Sequence, residues 1–259
     1  MTQSLHPAAQ KGFSSAAELY QQARPNYPQD LVKWLKQDLA LHADSTVVDL
    51  GAGTGKFLPY LKQVTPHIIA IEPVTEMLEQ LKIVHPDVQV RQAKSDQIPL
   101  NSASVDAVLC AQSFHWFANI ETLNEIHQIL KPNGHLGLVW NQRNEDVDWV
   151  KALTDVLLPI EGDTPRYHSG QWKQVFENQF LFQLESTQVF SQVQTGTVEN
   201  VVSNRLLSTS FIASMPEQEQ LKLKQQFEQI VLEYTGKRPQ DEIDFPYVTY
   251  AYNFKKLEQ

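Results

Sequence analysis

The sequence predicts an α/β fold built on a doubly wound, mostly parallel sheet of seven strands, with an antiparallel edge and helical cap insertions. Three observations predict it. Five short apolar or β-branched runs lie between residues 46 and 141, and helical stretches separate most of them. Such alternation implies parallel strands joined by right-handed crossovers. The runs are apolar almost without interruption, which suits strands covered on both faces. The first run leads straight into a glycine-rich turn followed by a helix.

Taken in order, Ser15-Ala16-Ala17-Glu18 has capping-box spacing and opens a helix through Leu19 and Tyr20 that ends before Pro25. Arg24-Pro25-Asn26-Tyr27-Pro28 then reads as a turn. Pro28 suits the first position of a second helix, which carries Leu31, Leu35 and Leu39 on one face. Strands are expected at 46–50, 67–72, 88–92, 105–112 and 136–141, with helices at 56–64, 74–85 and 120–131 between them. Lys131-Pro132-Asn133-Gly134 is a strong turn before the fifth strand. Beyond Asn141 the rhythm changes. Helices are expected at 147–158, 198–207 and 216–234, and two further strands at 182–193 and 243–254. Antiparallel strands added at a sheet edge, with helices inserted between them, account for this pattern. The helices could cover the carboxyl ends of the parallel strands, where open α/β sheets bind ligands.

Composition narrows the functional classes. Acidic residues outnumber basic ones by 30 to 21, for a net charge of −9, and no dense basic stretch stands out. An acidic surface repels phosphate backbones, so a nucleic-acid partner is not expected. The single cysteine, Cys110, sits in an apolar run and reads as a small buried hydrophobe in a reducing compartment. No apolar run approaches the roughly 20 residues that cross a bilayer, and residues 1–11 lack an apolar signal core. A cytoplasmic protein without membrane contact, monomeric or homodimeric, is the expectation. No cluster of His, Cys and Asp has metal-ligand spacing, so no metal is expected.

The segment richest in chemistry is Val47-Val48-Asp49-Leu50-Gly51-Ala52-Gly53-Thr54-Gly55-Lys56. A phosphate-gripping loop needs four residues between its first glycine and Gly-Lys, then a hydroxyl residue. Only three are present, and Phe57 stands where the hydroxyl belongs. A dinucleotide fingerprint needs Gly or Ala where Lys56 stands. What remains is Gly-x-Gly-x-Gly preceded at two residues by Asp49. This pattern resembles motif I of the class I S-adenosylmethionine-dependent methyltransferases, a family with a Rossmann-like fold.

The resemblance implies site residues along the chain. Gly51, Ala52 and Gly53 would wrap the amino-acid portion of S-adenosylmethionine, with Asp49 orienting the loop and the ammonium group. Glu72, followed by Pro73, would end the second strand and hold the ribose hydroxyls, since a carboxylate accepts two hydrogen bonds from a vicinal diol. Ser95 and Asp96 would meet the adenine. Gln112 ends the fourth strand at the ligand crevice. The N-terminal region 1–45 would close over the cofactor, with Tyr20 and Arg24 as contacts. Residues 46–145 would form the cofactor-binding core, and 146–259 the substrate cap and edge strands of one domain.

Ser113-Phe114-His115-Trp116-Phe117, Arg24-Pro25-Asn26-Tyr27-Pro28 and Val139-Trp140-Asn141 are similar to a narrower branch, the small-molecule enzymes related to trans-aconitate methyltransferase. That likeness implies methyl transfer to a small acceptor, at oxygen first, with nitrogen and carbon left open and a carboxylate among the options. His115 is the candidate base or substrate donor, with a hydrogen-bonded wall residue as its other reading. Trp116, Trp140 and Asn141 are candidates for the acceptor, with core packing equally open for the two tryptophans. A cofactor-binding protein without turnover, acting as partner or sensor, is the alternative. A nicotinamide dehydrogenase is weakened by Lys56.

Overall fold

In the computed structural model, residues 24–258 are described. The helix expected through Tyr20 lies outside them. Seven strands form one sheet in the order β3-β2-β1-β4-β5-β7-β6. The strands are β1 (Val47–Leu50), β2 (Ile68–Ile71), β3 (Gln89–Arg91), β4 (Val105–Ala111), β5 (Leu130–Arg143), β6 (Phe182–Thr197) and β7 (Glu242–Lys256). The first five pair in parallel, and β7 runs antiparallel between β5 and β6. The mostly parallel sheet with an antiparallel edge is therefore as the sequence predicts.

The inner parallel strands are largely apolar because both faces are covered, whereas β3 at the sheet edge, Gln89-Val90-Arg91, is mostly exposed. Val48 and Leu50 pack with Leu123, Ile126 and Ile129 of α4 (Ile120–Ile129). Their neighbour Val47 points the other way, against Leu31, Trp34 and Leu35 of α1 (Leu31–Gln37) and Leu58 and Leu61 of α2 (Leu58–Leu61). The third connecting helix, α3 (Thr75–Val84), adds Leu81 to that second face. Successive side chains of a strand alternate faces, so a strand buried on both sides is apolar at most positions. Cys110 is fully buried, as expected of a small hydrophobe.

β5, β6 and β7 have 14, 16 and 15 residues, against four in β1 and β2. Their excess length projects past the parallel strands and carries a third core. There Phe245 and Tyr247 of β7 pack with α5 (Asp148–Leu157), residues 198–212 and Phe227 and Val231 of α8 (Glu217–Thr235).

Three details differ from expectation. β5 begins at Leu130, opposite Val105, and the Lys131-to-Gly134 turn is a bulge within it that resumes at His135 opposite Ala107. Asn133 takes the left-handed φ of 61° that this bulge needs. The helix expected at 198–207 is a π-type turn, Glu199–Asn204, which tightens only at α6 (Arg205–Leu207). A short helix, α7 (Ser210–Ala213), follows.

Candidate active site

The turn after β1 is fastened to the end of β2: Gly51 N and Ala52 N both donate to the Ile71 carbonyl, at 2.8 and 3.1 Å. Gly51 has φ +70°, and a Cβ there would lie 2.6 Å from Ser113 Cβ. Gly53, at φ +56°, has open space where its Cβ would be. The first glycine lets two strands' ends approach; the second leaves room for a ligand.

Glu72 closes the turn from the next strand. Its Oε2 accepts from Gly53 N at 2.8 Å and its Oε1 from Val74 N at 2.9 Å. Each oxygen keeps a further lone pair for a ligand. Burial pushes the Glu72 carboxyl up to about 7, despite the opposing pull of those two backbone donors. Asp49 is also buried, and neither of its carboxyl oxygens has a hydrogen-bond partner among the described residues. Burial first, and the Glu72 charge second, raise it to about 7. Two buried carboxyls with unused acceptors call for donors from outside the chain.

These groups border a cavity of about 940 Å³ whose walls include Asp49, Gly51, Gly53, Glu72, Pro73 and Met77. A strap, residues 24–27, runs along its mouth. Lys56 Nζ donates to the Arg24 carbonyl at 2.7 Å, and the Tyr60 hydroxyl both donates to Tyr27 O and accepts from Tyr27 N. Asn141 Nδ2 holds the Asn26 carbonyl at 3.0 Å, while its Oδ1 accepts from Thr249. Burial, then the Arg24 and Arg205 charges, lower Lys56 to about 8.

A second chamber of about 580 Å³ shares Arg24, Gln112, Trp116, Asn141 and Arg205 with the first. Arg143, Arg166, Tyr167 and His115 line it as well. Arg143 Nε donates to Thr154 Oγ1, and burial followed by the charges of Arg205 and Arg166 lowers its guanidinium to about 10. Arg166 sits 3.7 Å from Glu161, whereas Nε and Nη1 of the buried Arg205 have no partner among the described residues. Four guanidinium groups thus line one space.

The expected site residues distribute as follows. Arg24, Asp49, Gly51, Ala52, Gly53, Glu72, Pro73, Gln112, Trp116 and Asn141 all line the first cavity. Gln112, at φ +59°, turns its side chain across the end of β4 to donate to the Asn141 carbonyl. Tyr20 lies outside the described residues. Ser95 and Asp96 are not among the residues bordering this cavity: Ser95 Oγ instead meets Thr122 Oγ1 at 2.9 Å. Asp96 keeps one buried oxygen without a partner among the described residues. Of the two readings open for Trp140, acceptor contact and core packing, its placement matches core packing. It is fully buried among Tyr167, Trp172 and Tyr252 and borders neither cavity; its indole N–H donates to His115 Nδ1 at 3.0 Å. Arg143, Arg166 and Arg205 belong to none of the motifs read from the sequence.

Comparison with known proteins decides the family. A profile described as a methyltransferase domain matches residues 48–138. A Schizosaccharomyces pombe protein described as an uncharacterized methyltransferase-like protein is 36% identical over 247 residues, covering 95% of this chain and 96% of its own. The chain is a class I S-adenosylmethionine-dependent methyltransferase. An uncharacterized methyltransferase of Mycobacterium tuberculosis is 34% identical to it over 214 residues, covering 76% of this chain and 86% of its own. In fold, the methyltransferase is similar to a crystal structure from Anaeromyxobacter dehalogenans, provisionally described as a type II methyltransferase. The TM-score is 0.66 at 20% identity, over 90% of this chain and 97% of that one.

The cavity's donor and acceptor set fits S-adenosylmethionine. The orphaned Asp49 oxygens suit its ammonium, the spare lone pairs of Glu72 suit a ribose diol, and the open space at Gly53 admits close approach to the backbone. Among the described residues no group of three or more His, Cys, Asp and Glu could hold a metal, and no helix is long and apolar enough to cross a membrane.

Proposed function

We propose that this methyltransferase methylates an oxygen of a small anionic acceptor, a carboxylic acid. One observation carries the reading: a chamber lined by Arg24, Arg143, Arg166 and Arg205 lies beside the cofactor cavity, in a protein of net charge −9. Buried guanidinium groups need counter-charge, and their planar forks match carboxylate geometry. The chemistry the cofactor supplies when bound is a sulfonium-activated methyl, whose C–S bond breaks as the acceptor oxygen forms the new O–C bond, leaving a thioether and an ester.

The chain's own residues then bind and align. Nearby cations favour the ionised form of the acid, which needs no base to react. Arg205 and Arg24 border both spaces and can hold the acid across the junction, with Trp116 and Gln112 as its shared wall. Orientation of this kind can be worth roughly 7–11 kcal/mol. The narrower likeness carried by Ser113-Phe114-His115-Trp116-Phe117 supports the same acceptor class. A binding-only role has no observation in its favour.

Methyl-labelled S-adenosylmethionine, offered with a panel of aliphatic carboxylic acids and their amides, tests the reading. Label should enter acids alone, as an alkali-labile ester. Incorporation into the amides, with none into the acids, would falsify it.

A further inference from the structure

His115 invites the role of general base, being the titratable imidazole in the acceptor chamber. Its surroundings oppose that role. The indole N–H of Trp140 is a donor with no acceptor capacity, so His115 Nδ1, 3.0 Å away, must present its lone pair. A neutral ring then carries its proton on Nε2, the other nitrogen of a ring that lines the chamber. An imidazolium would place an N–H against the indole N–H. The charged groups around the ring add to this, Arg166 first, then Arg24 and His168. Protein encloses the ring, yet it keeps accessible surface, because that surface faces the chamber. Burial, then these cations, hold its pKa down to about 3.

We propose that His115 is a tautomer-locked, neutral Nε2–H donor that binds a carboxylate oxygen of the acceptor, and that Trp140 is the positioning residue that sets its tautomer. This rests on the acid-acceptor reading above. A base would need a free lone pair on the nitrogen facing substrate; here that nitrogen carries the proton. With Arg24, Arg143, Arg166 and Arg205, it adds a donor to a lining whose charged groups are all cations, which favours an anionic oxygen over a neutral group.

The test combines histidine-labelled ¹⁵N NMR with binding of succinate as the acid probe, in the presence of S-adenosylhomocysteine. In the wild-type protein His115 should show protonated Nε2 and unprotonated Nδ1, unchanged from about pH 5.5 to 8.5, the span that brackets ordinary imidazole titration. His115→Phe should weaken succinate binding roughly tenfold to hundredfold, as loss of a hydrogen bond to a charged group does. His115→Gln, which retains an N–H donor, should recover most of it. In Trp140→Phe, which removes the donor to Nδ1, the neutral ring should show both Nδ1–H and Nε2–H tautomers instead of one. A wild-type His115 that titrates there, or carries its proton on Nδ1, overturns the proposal, as does equal succinate binding by His115→Phe. If Nε2–H is locked but the wild-type protein binds no acid, the carboxylate contact falls together with the acid-acceptor reading, while the measured tautomer stands apart from both. The wild-type spectrum decides the tautomer even if Trp140→Phe fails to fold.

Discussion

Glu72 holds the glycine turn through two backbone N–H groups while burial keeps its carboxyl partly protonated near neutrality. Replacing it with alanine removes both anchors and the ribose acceptors. S-adenosylhomocysteine affinity should fall at least about tenfold, the scale of one charge-assisted hydrogen bond, measured by calorimetry. A variant that binds as the wild type does would remove Glu72 from the site. The same residue predicts a pH signature. Its folded pKa of about 7 lies above its ordinary 4.5, so the folded ligand-free protein keeps a proton that the unfolded chain has lost between those values. Stability associated with Glu72 therefore falls as pH rises through that window. Glu72→Gln lacks this titration and also relieves Asp49, whose carboxyl Glu72 helps to raise. The melting temperature of Glu72→Gln, relative to wild type, should climb between about pH 4.5 and 7. A flat difference across that range would contradict the assigned burial.

At the scale of elements, the glycine turn makes two neighbouring residues answer differently to one substitution. Gly51→Ala meets a positive φ and a Cβ clash with Ser113, so it should lower folding stability by about 2 kcal/mol or more. Gly53→Ala shares the positive φ but meets no protein atom within 4 Å. It should cost the fold only about 1 kcal/mol while displacing the ligand. Parallel thermal melts and cofactor titrations separate the two, and identical profiles would show that the space at Gly53 is not ligand space. Much of this element was legible in the sequence, because strand, turn and following acid lie within one short stretch whose chemistry is local. The acceptor chamber was not. Arg143 leaves the end of β5, Arg166 a loop and Arg205 a helix after a π-type turn. Each is an ordinary arginine until tertiary packing brings them together. Net charge concealed them too, since an acidic total says nothing of an enclosed basic cluster. Trp140 was ambiguous for a related reason: an aromatic in a strand that faces a cleft and one in a strand that faces the core present the same pattern.

Over the whole molecule, cofactor and acceptor machinery rest on different cores. The cofactor turn stands on the short parallel strands and the two layers that cover them, whereas Arg205 belongs to the segment that packs in the distal core on the extended β6–β7 ribbon. Within that distal core, Phe227 of α8 is fully buried, with Val201, Val202 and Leu206 of the Arg205 segment in the same cluster. Phe227→Ala should cost about 3–5 kcal/mol locally, through lost burial and the cavity left behind. Because the loss falls in the cluster that holds up Arg205, it should loosen the acceptor chamber before it reaches the sheet. Hydrogen exchange should then accelerate over residues 199–235 while the amides of β1 and β4 stay protected. S-adenosylhomocysteine should bind within a few-fold of wild type, and methyl transfer to acids should collapse. Equal loss of cofactor binding and transfer, with exchange accelerated across β1 as well, would mean that one cooperative core supports both sites. Selective loss would show that acceptor recognition can be altered through the distal core while the cofactor turn stays as it is.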